Sequence, residues 1–162
     1  MPARKNRSER GSALLEYAFV LIIVLFFIFG IVDFGRALYA YHFVANAARE
    51  GTRYAIVRGS NWTAACPDGD QSGACQVSNE NIQYYVQTLG TGIGISNPSL
   101  ISATLTGQPP PNGLSNCNNP DPPVNPGCIA QVQVTYPFKF IFPFLPTSIY
   151  TMTSRSQMVV SQ

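Results

Sequence analysis

The sequence predicts an α+β fold, with one long N-terminal helix packed along its outer half by a small antiparallel sheet and a short extra helix. Three observations carry this prediction. Residues 12–57 contain no proline and are first apolar and then amphipathic. A second helical pattern follows at 78–89, and segments of alternating polar and apolar residues come after it. Three or four strands covering one helix can bury its outer half.

The 162-residue chain is poor in charge, and its charges are unevenly placed. Only 11% of its residues are charged and 46% are hydrophobic, whereas an average soluble domain is about 25% charged. Four of the ten basic residues lie in the first ten positions, while residues 59–162 hold two basic and four acidic residues. This layout excludes a basic nucleic-acid-binding domain and argues against an ordinary cytosolic enzyme.

The apolar run predicts a membrane anchor. Residues 17–32 are all apolar, and extending the run back to Ser12 gives 21 residues with one charge, Glu16. A helix of that length spans about 30 Å, the thickness of a bilayer core. Because basic residues precede the run, we expect the N-terminus in the cytoplasm and the C-terminal body outside. The predicted boundaries are a basic leader at 1–11, a transmembrane helix at 12–33, an amphipathic stalk helix at 34–58 and an exported body at 59–162.

A cleaved secretory signal peptide is the alternative interpretation of a basic start followed by an apolar segment. Its cleavage site should lie just past the apolar run. The nearest A-x-A pattern, Ala45 to Ala47, begins 13 residues beyond Val32 and lies within a strongly helical stretch. The sequence therefore favours an anchor.

Glu16 is the charged exception in the predicted membrane span. A carboxylate there costs about 3 kcal/mol, and such residues generally have a function and a partner. One interpretation is that Glu16 lies close enough to the cytoplasmic surface to reach the lipid headgroups. The residues around it support a second one.

The segment RGSALLEY at residues 10–17 resembles the processing site of type IV-like prepilins, where a basic leader ends in glycine and a glutamate is the fifth residue after the cut. The pair Glu16-Tyr17 is similar to the tight-adherence (Flp) branch. Further motifs follow in the order seen in TadE-like pseudopilins: GIVDFGR at 30–36, YAY at 39–41 and ANAAREGTR at 45–53. The resemblance covers residues 10–58.

This resemblance implies a pilin-like structural subunit that is cut between Gly11 and Ser12 by a prepilin peptidase. The mature chain would hold six basic and seven acidic residues. Its new Ser12 ammonium would lie four residues before Glu16, on the same helical face, and could neutralise Glu16 of this or a neighbouring subunit. Glu16 and Tyr17 are therefore the predicted assembly and recognition residues.

The resemblance also implies partners and a location. The implied partners are membrane lipid, the prepilin peptidase, other pilin or pseudopilin subunits and the pilus assembly platform. The location is a bacterial inner membrane, crossed once, and incorporation into an extracellular pilus is left open.

The residue pattern from Asp33 to Val57 predicts that the stalk is an amphipathic helix with a single apolar stripe. Its members follow at spacings of three and four: Phe34, Leu38, Tyr41, Ala45, Ala48, Thr52 and Ala55. The stripe could pack on the body of the same chain or on other subunits, and the sequence leaves both open.

For the exported body, the sequence predicts one helix and three main strands. Ser78 is the expected N-cap of a helix that ends at Leu89, before Gly90, with Ile82, Tyr85, Val86 and Leu89 on one face. Strands are expected at 101–105, 130–136 and 149–160, the last with one face formed by Tyr150, Met152, Met158 and Val160. Residues 59–77, 90–98, 107–127 and 137–146 are expected to form loops and connections.

Four cysteines in an exported body predict two disulfides. The sequence leaves three connectivities open for Cys66, Cys75, Cys117 and Cys128. We favour the two local pairs, Cys66–Cys75 and Cys117–Cys128, since each closes a loop of about ten residues and contributes about 2–3 kcal/mol. No metal site is expected, because no C-x-x-C pair is present and no histidine lies nearby.

The sequence contains no visible catalytic constellation. The single histidine, His42, lies apart from other ligand-type residues. We predict no catalytic, cofactor-binding or metal-binding residues and no small-molecule substrate. The leading hypothesis is a minor pilin or pseudopilin of a pilus or secretion apparatus. The alternative is a permanently anchored protein whose body binds a ligand or surface, with Glu16 incidental. A major Flp-type pilin is disfavoured because such chains are usually much shorter.

Overall fold

The computed structural model describes residues 7–59, 77–92, 95, 97–111, 117, 125–141 and 150–160, with side chains from residue 11 onward. Its elements are helix α1 (Arg7–Val57), helix α2 (Asn79–Gly92), a 3-10 turn (Pro98–Leu100) and strands β1 (Ser102–Gln108), β2 (Ile129–Phe138) and β3 (Tyr150–Val159). The predicted α+β fold is confirmed, with one long helix, a shorter one and a small antiparallel sheet.

Helix α1 is 51 residues long, which corresponds to about 76 Å. It continues without a break from the end of the basic leader through the apolar run into the stalk, as the absence of proline predicts. Every side chain from Gly11 to Val32 is exposed. Since it is long, apolar and uncovered by the described residues, this part of α1 is a candidate membrane span.

The three strands form one antiparallel sheet in the order β1-β2-β3. In the pair of β1 and β2, Ser102 lies opposite Thr135. In the pair of β2 and β3, Phe138 lies opposite Tyr150. Strand β2 contains Pro137, two residues past the point where pairing with β1 ends. A proline fits there because its missing N–H removes no bond to β1.

One face of the sheet packs against α1, and small residues on the helix make this packing close. The small residues of α1 that are buried there are Ala40, Ala47, Ala48, Gly51, Thr52 and Ala55. A Cβ added at Gly51 would lie 3.1 Å from Val132 Cγ1 on β2. Val132 and Val134 are fully buried. Bulky side chains from the sheet therefore fill the space that small side chains on the helix leave.

The opposite face of the sheet is polar. Gln108 Nε2 and Gln157 Nε2 both donate to Gln131 Oε1, at 2.8 and 2.6 Å. Arg155 Nε donates to Gln133 Oε1 at 2.8 Å. The alternation in the sequence thus separates a buried face from a solvent face, as predicted.

Helix α2 starts as predicted and ends later than predicted. The Ser78 hydroxyl accepts a hydrogen bond from Asn81 N–H at 3.2 Å, which is an N-cap. The helix continues to Gly92 instead of ending at Leu89. Gly90 therefore lies inside the helix, where it packs closely: a Cβ there would lie 2.6 Å from Ile101 Cδ1.

The strands differ from their predicted bounds by a few residues. Strand β1 runs on to Gln108, and β2 includes Pro137 and Phe138, so both following connections begin later than predicted. On β3, Met152 and the adjoining Val160 are buried, but Tyr150 at the strand's start is exposed.

Candidate functional site on the long helix

Beyond the apolar run, the predicted stripe on α1 divides into two parts. The described residues leave its first part uncovered: Phe34, Leu38 and Tyr41 are 65%, 44% and 60% exposed. Each of these residues comes one position after a residue that faces the body, and one position turns the helix by about 100°. The second part of the stripe packs on the body, since Ala48, Thr52 and Ala55 are buried and Ala45 is half-buried.

The exposed apolar residues of the stalk continue a line that starts in the apolar run at 17–32. Because this run is the candidate membrane span, we call it the membrane run. We call this line the exposed stripe; it consists of Val20, Val24, Phe27, Ile31, Phe34, Leu38 and Tyr41, all of them exposed. Their spacings alternate between four and three, the pattern of a helix that packs along another helix. Glu16 precedes Val20 by four residues and lies on the same line.

A notch at Gly30 lies beside the exposed stripe, near its middle. Gly30 has open space in front of it, with nothing within 4 Å of an added Cβ. The notch is a shallow groove of about 440 Å³ lined by Ile23, Phe26, Phe27, Gly30, Ile31 and Phe34. A glycine bordered by large apolar side chains can accept a side chain from a neighbouring helix.

The predicted processing and assembly residues all lie near the N-terminal end of α1. Gly11, Ser12, Glu16 and Tyr17 are exposed and helical. A Cβ at Gly11 would meet nothing within 4 Å. The described part of the chain therefore leaves this segment accessible to a peptidase and to neighbouring subunits.

Asp33 is a residue that the sequence analysis did not single out. It is only 4% exposed and marks the point where the body first touches α1. Its Oδ2 and Oδ1 accept the Ile141 N–H at 3.0 and 3.3 Å, and Arg36 Nη1 lies 3.0 Å from Oδ1. The Arg36 guanidinium also lies 5.4 Å from the ring centroid of Phe138. Asp33 thus ties the chain leaving β2 to the helix at the end of the membrane run.

The cysteines of the body are described in part. Cys117 and Cys128 are buried and joined by a disulfide, with an S–S distance of 2.05 Å. The Cys128 carbonyl accepts the Val160 N–H at 2.8 Å, so the bridge lies at the end of the sheet far from Asp33. Cys66 and Cys75 lie outside the described residues.

His42 is exposed and stands edge-on to Tyr41, with ring centroids 5.9 Å apart. Among the residues that the structure describes, no group of three His, Cys, Asp or Glu side chains could hold a metal ion.

These observations define a protein of the pilin-like α+β class. It has a long helix with an exposed apolar stripe along it. Residues 11–53 match the model of the family described as TadE-like protein. The resemblance predicted from the motifs is confirmed for residues 11–53, about a quarter of the chain, and it supports an association with the Tad pilus in general. No curated protein and no solved structure matches the chain.

Proposed function

We propose that this chain is a minor pilin or pseudopilin of a Tad (Flp) pilus or a related secretion apparatus. In this proposal a prepilin peptidase removes the leader, 1–11, and residues 12–33 hold the subunit in a bacterial inner membrane. The stalk, 34–58, and the body, 59–162, are exported. The observation that carries the proposal is the continuation of the exposed stripe past the membrane run.

Lipid can cover only the first part of the exposed stripe. Leu38 and Tyr41 lie five and eight residues beyond Asp33, which places them about 7 and 12 Å past the end of the run. Burying an apolar side chain of this size contributes about 1.5–3 kcal/mol. A neighbouring helix that crosses the same membrane and continues outward would cover both parts of the stripe at once.

Glu16 fits the same arrangement. It lies in line with the stripe, so a helix packed there would also lie beside the carboxylate. After processing, the ammonium of Ser12 is the nearest source of a compensating charge. A buried charge that only a correctly placed partner can neutralise favours one register of packing over others.

The alternative, a permanently anchored protein with a binding body, accounts for the membrane run equally well. It gives no reason for the line from Glu16 to Tyr41, because a lone anchor would leave Leu38 and Tyr41 in water. For this reason we prefer an assembling subunit.

The test is a charge placed on the exposed stripe, with a matched charge placed off it. Leu38→Glu changes an exposed residue outside the core, so the variant should fold, insert and be processed. Asn46→Glu adds the same charge at an exposed position of the stalk away from the stripe. The measurement is the share of each variant that is recovered with assembled pili in cells that carry the peptidase and the assembly machinery.

We expect Leu38→Glu to be incorporated at least about tenfold less than the unaltered chain, because burying an unpaired carboxylate costs more than 1.4 kcal/mol. Asn46→Glu should be incorporated normally. Normal incorporation of a processed Leu38→Glu chain would contradict the proposed assembly face and favour the permanent anchor.

A further inference from the structure

The end of the body nearest the membrane run carries an exposed apolar and basic surface. Phe138 and Tyr150 are paired at this end of the sheet, and the chain continues from β2 through Lys139, Phe140 and Ile141. Phe140, Ile141 and Tyr150 are 38%, 63% and 62% exposed, and Lys139 is exposed beside them. We call Lys139, Phe140, Ile141 and Tyr150 the proximal patch.

Asp33 fixes the position of the proximal patch along α1. Through its bonds to the Ile141 N–H, it holds the patch at the first residue after the apolar run. By contrast, Val132 in the middle of β2 lies against Gly51, 18 residues further along the helix. That difference corresponds to about 27 Å. If residues 12–33 span the bilayer, the patch lies at its outer surface and the rest of the sheet extends away from it.

The composition of this end suits the headgroup region of a membrane. Phe138 and Phe140 pack edge-on with centroids 5.2 Å apart, and Tyr39 and Tyr136 line a cleft of about 420 Å³ on the same end. Lys139 is one of only two basic residues in 59–162, and Arg36 lies next to Phe138. Aromatic rings and basic side chains concentrate at the membrane–water boundary, where rings lie among the headgroups and cations face phosphate.

We infer that the exported body rests on the outer leaflet through the proximal patch, with Phe140 and Ile141 among the lipid headgroups and Lys139 facing lipid phosphate. This inference rests on the proposed insertion of α1 in the membrane. The contact holds the body at a fixed orientation to the bilayer before assembly. The cleft beside it and the exposed stripe lie on different sides of α1, so lipid contact leaves the stripe free for a neighbouring helix.

Tryptophan quenching tests the lipid contact. The chain has one tryptophan, Trp62, which Trp62→Phe removes. Three single-tryptophan variants are then compared in vesicles of phosphatidylcholine and phosphatidylglycerol whose acyl chains are brominated near the headgroup. Ile141→Trp reports on the patch and Phe27→Trp on the membrane run. Val159→Trp is the matched control, since it is 60% exposed and lies at the other end of β3.

We expect strong quenching of Ile141→Trp and of Phe27→Trp, and several-fold weaker quenching of Val159→Trp. Quenching of Ile141→Trp that does not exceed that of Val159→Trp, with Phe27→Trp quenched, would overturn the lipid contact alone. Absence of quenching for Phe27→Trp would instead overturn the proposed insertion.

The basic residue has its own control. In the Ile141→Trp chain, Lys139→Glu should weaken quenching in vesicles rich in phosphatidylglycerol, because it replaces attraction to anionic lipid with repulsion. Arg155→Glu alters the other basic residue of the body, on the polar face of the sheet, and should leave quenching unchanged. Equal quenching in the Lys139→Glu and Arg155→Glu variants would overturn the role of Lys139.

Discussion

Two carboxylates of α1 lie near the two ends of the membrane run and have opposite surroundings. Glu16 is exposed near the N-terminal end, on the line of the exposed stripe. Asp33 is buried at the outer end and accepts hydrogen bonds from the body of its own chain. We interpret Asp33 as satisfied by folding and Glu16 as satisfied by assembly, and substitution of each residue tests this difference.

Glu16→Ala should leave insertion intact, or improve it, because the cost of about 3 kcal/mol for the charge disappears. Incorporation should fail, since the Ser12 ammonium then has no counter-charge among apolar helices. Glu16→Asp should be partly defective, because its carboxylate is one methylene shorter. The measurements are the N-terminal mass, which checks that the variant is still cut, and the share of chain in assembled pili. An alanine variant that is cut, inserted and incorporated normally would remove the case for pairing.

Asp33→Ala should lower the free energy of unfolding of the exported body by about 1.5–3 kcal/mol, since the Ile141 N–H loses a charged acceptor. Asp33→Asn should cost less, because its amide oxygen can still accept the Ile141 N–H. Urea unfolding in detergent, followed by near-ultraviolet circular dichroism, measures both effects.

Glu50→Ala is the control for the Asp33 variants. Glu50 pairs with Arg53 at 3.0 Å in the same i,i+3 geometry as Asp33 with Arg36, but it lies on an exposed surface. Such pairs contribute about 0–1 kcal/mol. If Asp33→Ala cost no more than Glu50→Ala, Asp33 would not be the tie between helix and body.

At the scale of elements, local patterns predicted most of the fold. The long helix, the N-cap at Ser78 and the three strands follow from periodicity, proline placement and alternation, which are properties of the nearby sequence. The side of α1 that the body covers was not predictable in the same way. The sequence left open whether Phe34, Leu38 and Tyr41 pack on the body or on other subunits, and the structure shows that the body packs on the residues beside them. Apolar character indicates that a face will be covered but does not indicate by what.

Part of the candidate site follows from a local pattern as well. Gly11, Ser12, Glu16 and Tyr17 belong to one short motif at residues 10–17, and their roles in processing and assembly stay predictions. Asp33 was missed because its partner, the Ile141 N–H, is 108 residues away in sequence. The available signal was a carboxylate directly after an apolar run with arginine three residues later, which suggests a charge that must be held in place.

The disulfide between Cys117 and Cys128 lies in the connection from β1 to β2. Replacing both cysteines with serine should lower the free energy of unfolding by about 2–3 kcal/mol, because a loop closed over a sequence separation of 11 is released in the unfolded chain. Urea unfolding measures the loss. A non-reducing peptide map of the unaltered chain should show this local bridge together with Cys66–Cys75. A Cys66–Cys117 peptide would contradict the local pairing.

At the scale of the whole molecule, α1 serves three surroundings through different parts of its surface. The small-residue face carries the body, the exposed stripe is available to a neighbouring helix, and the rest of the run from Ser12 to Val32 is left for lipid. In the proposed function, this division lets a chain of low charge act as one subunit of a larger assembly.

The N-terminal residue of the chain recovered from membranes and pili tests the central claim, a processed subunit, most directly. In cells with an active prepilin peptidase we predict that the chain begins at Ser12, by mass analysis or sequential degradation. Gly11→Val should remain uncut, and the open space around Gly11 means that the larger side chain should not disturb the fold. A chain that keeps Met1 or Pro2 in these cells would contradict processing and leave only the permanent anchor.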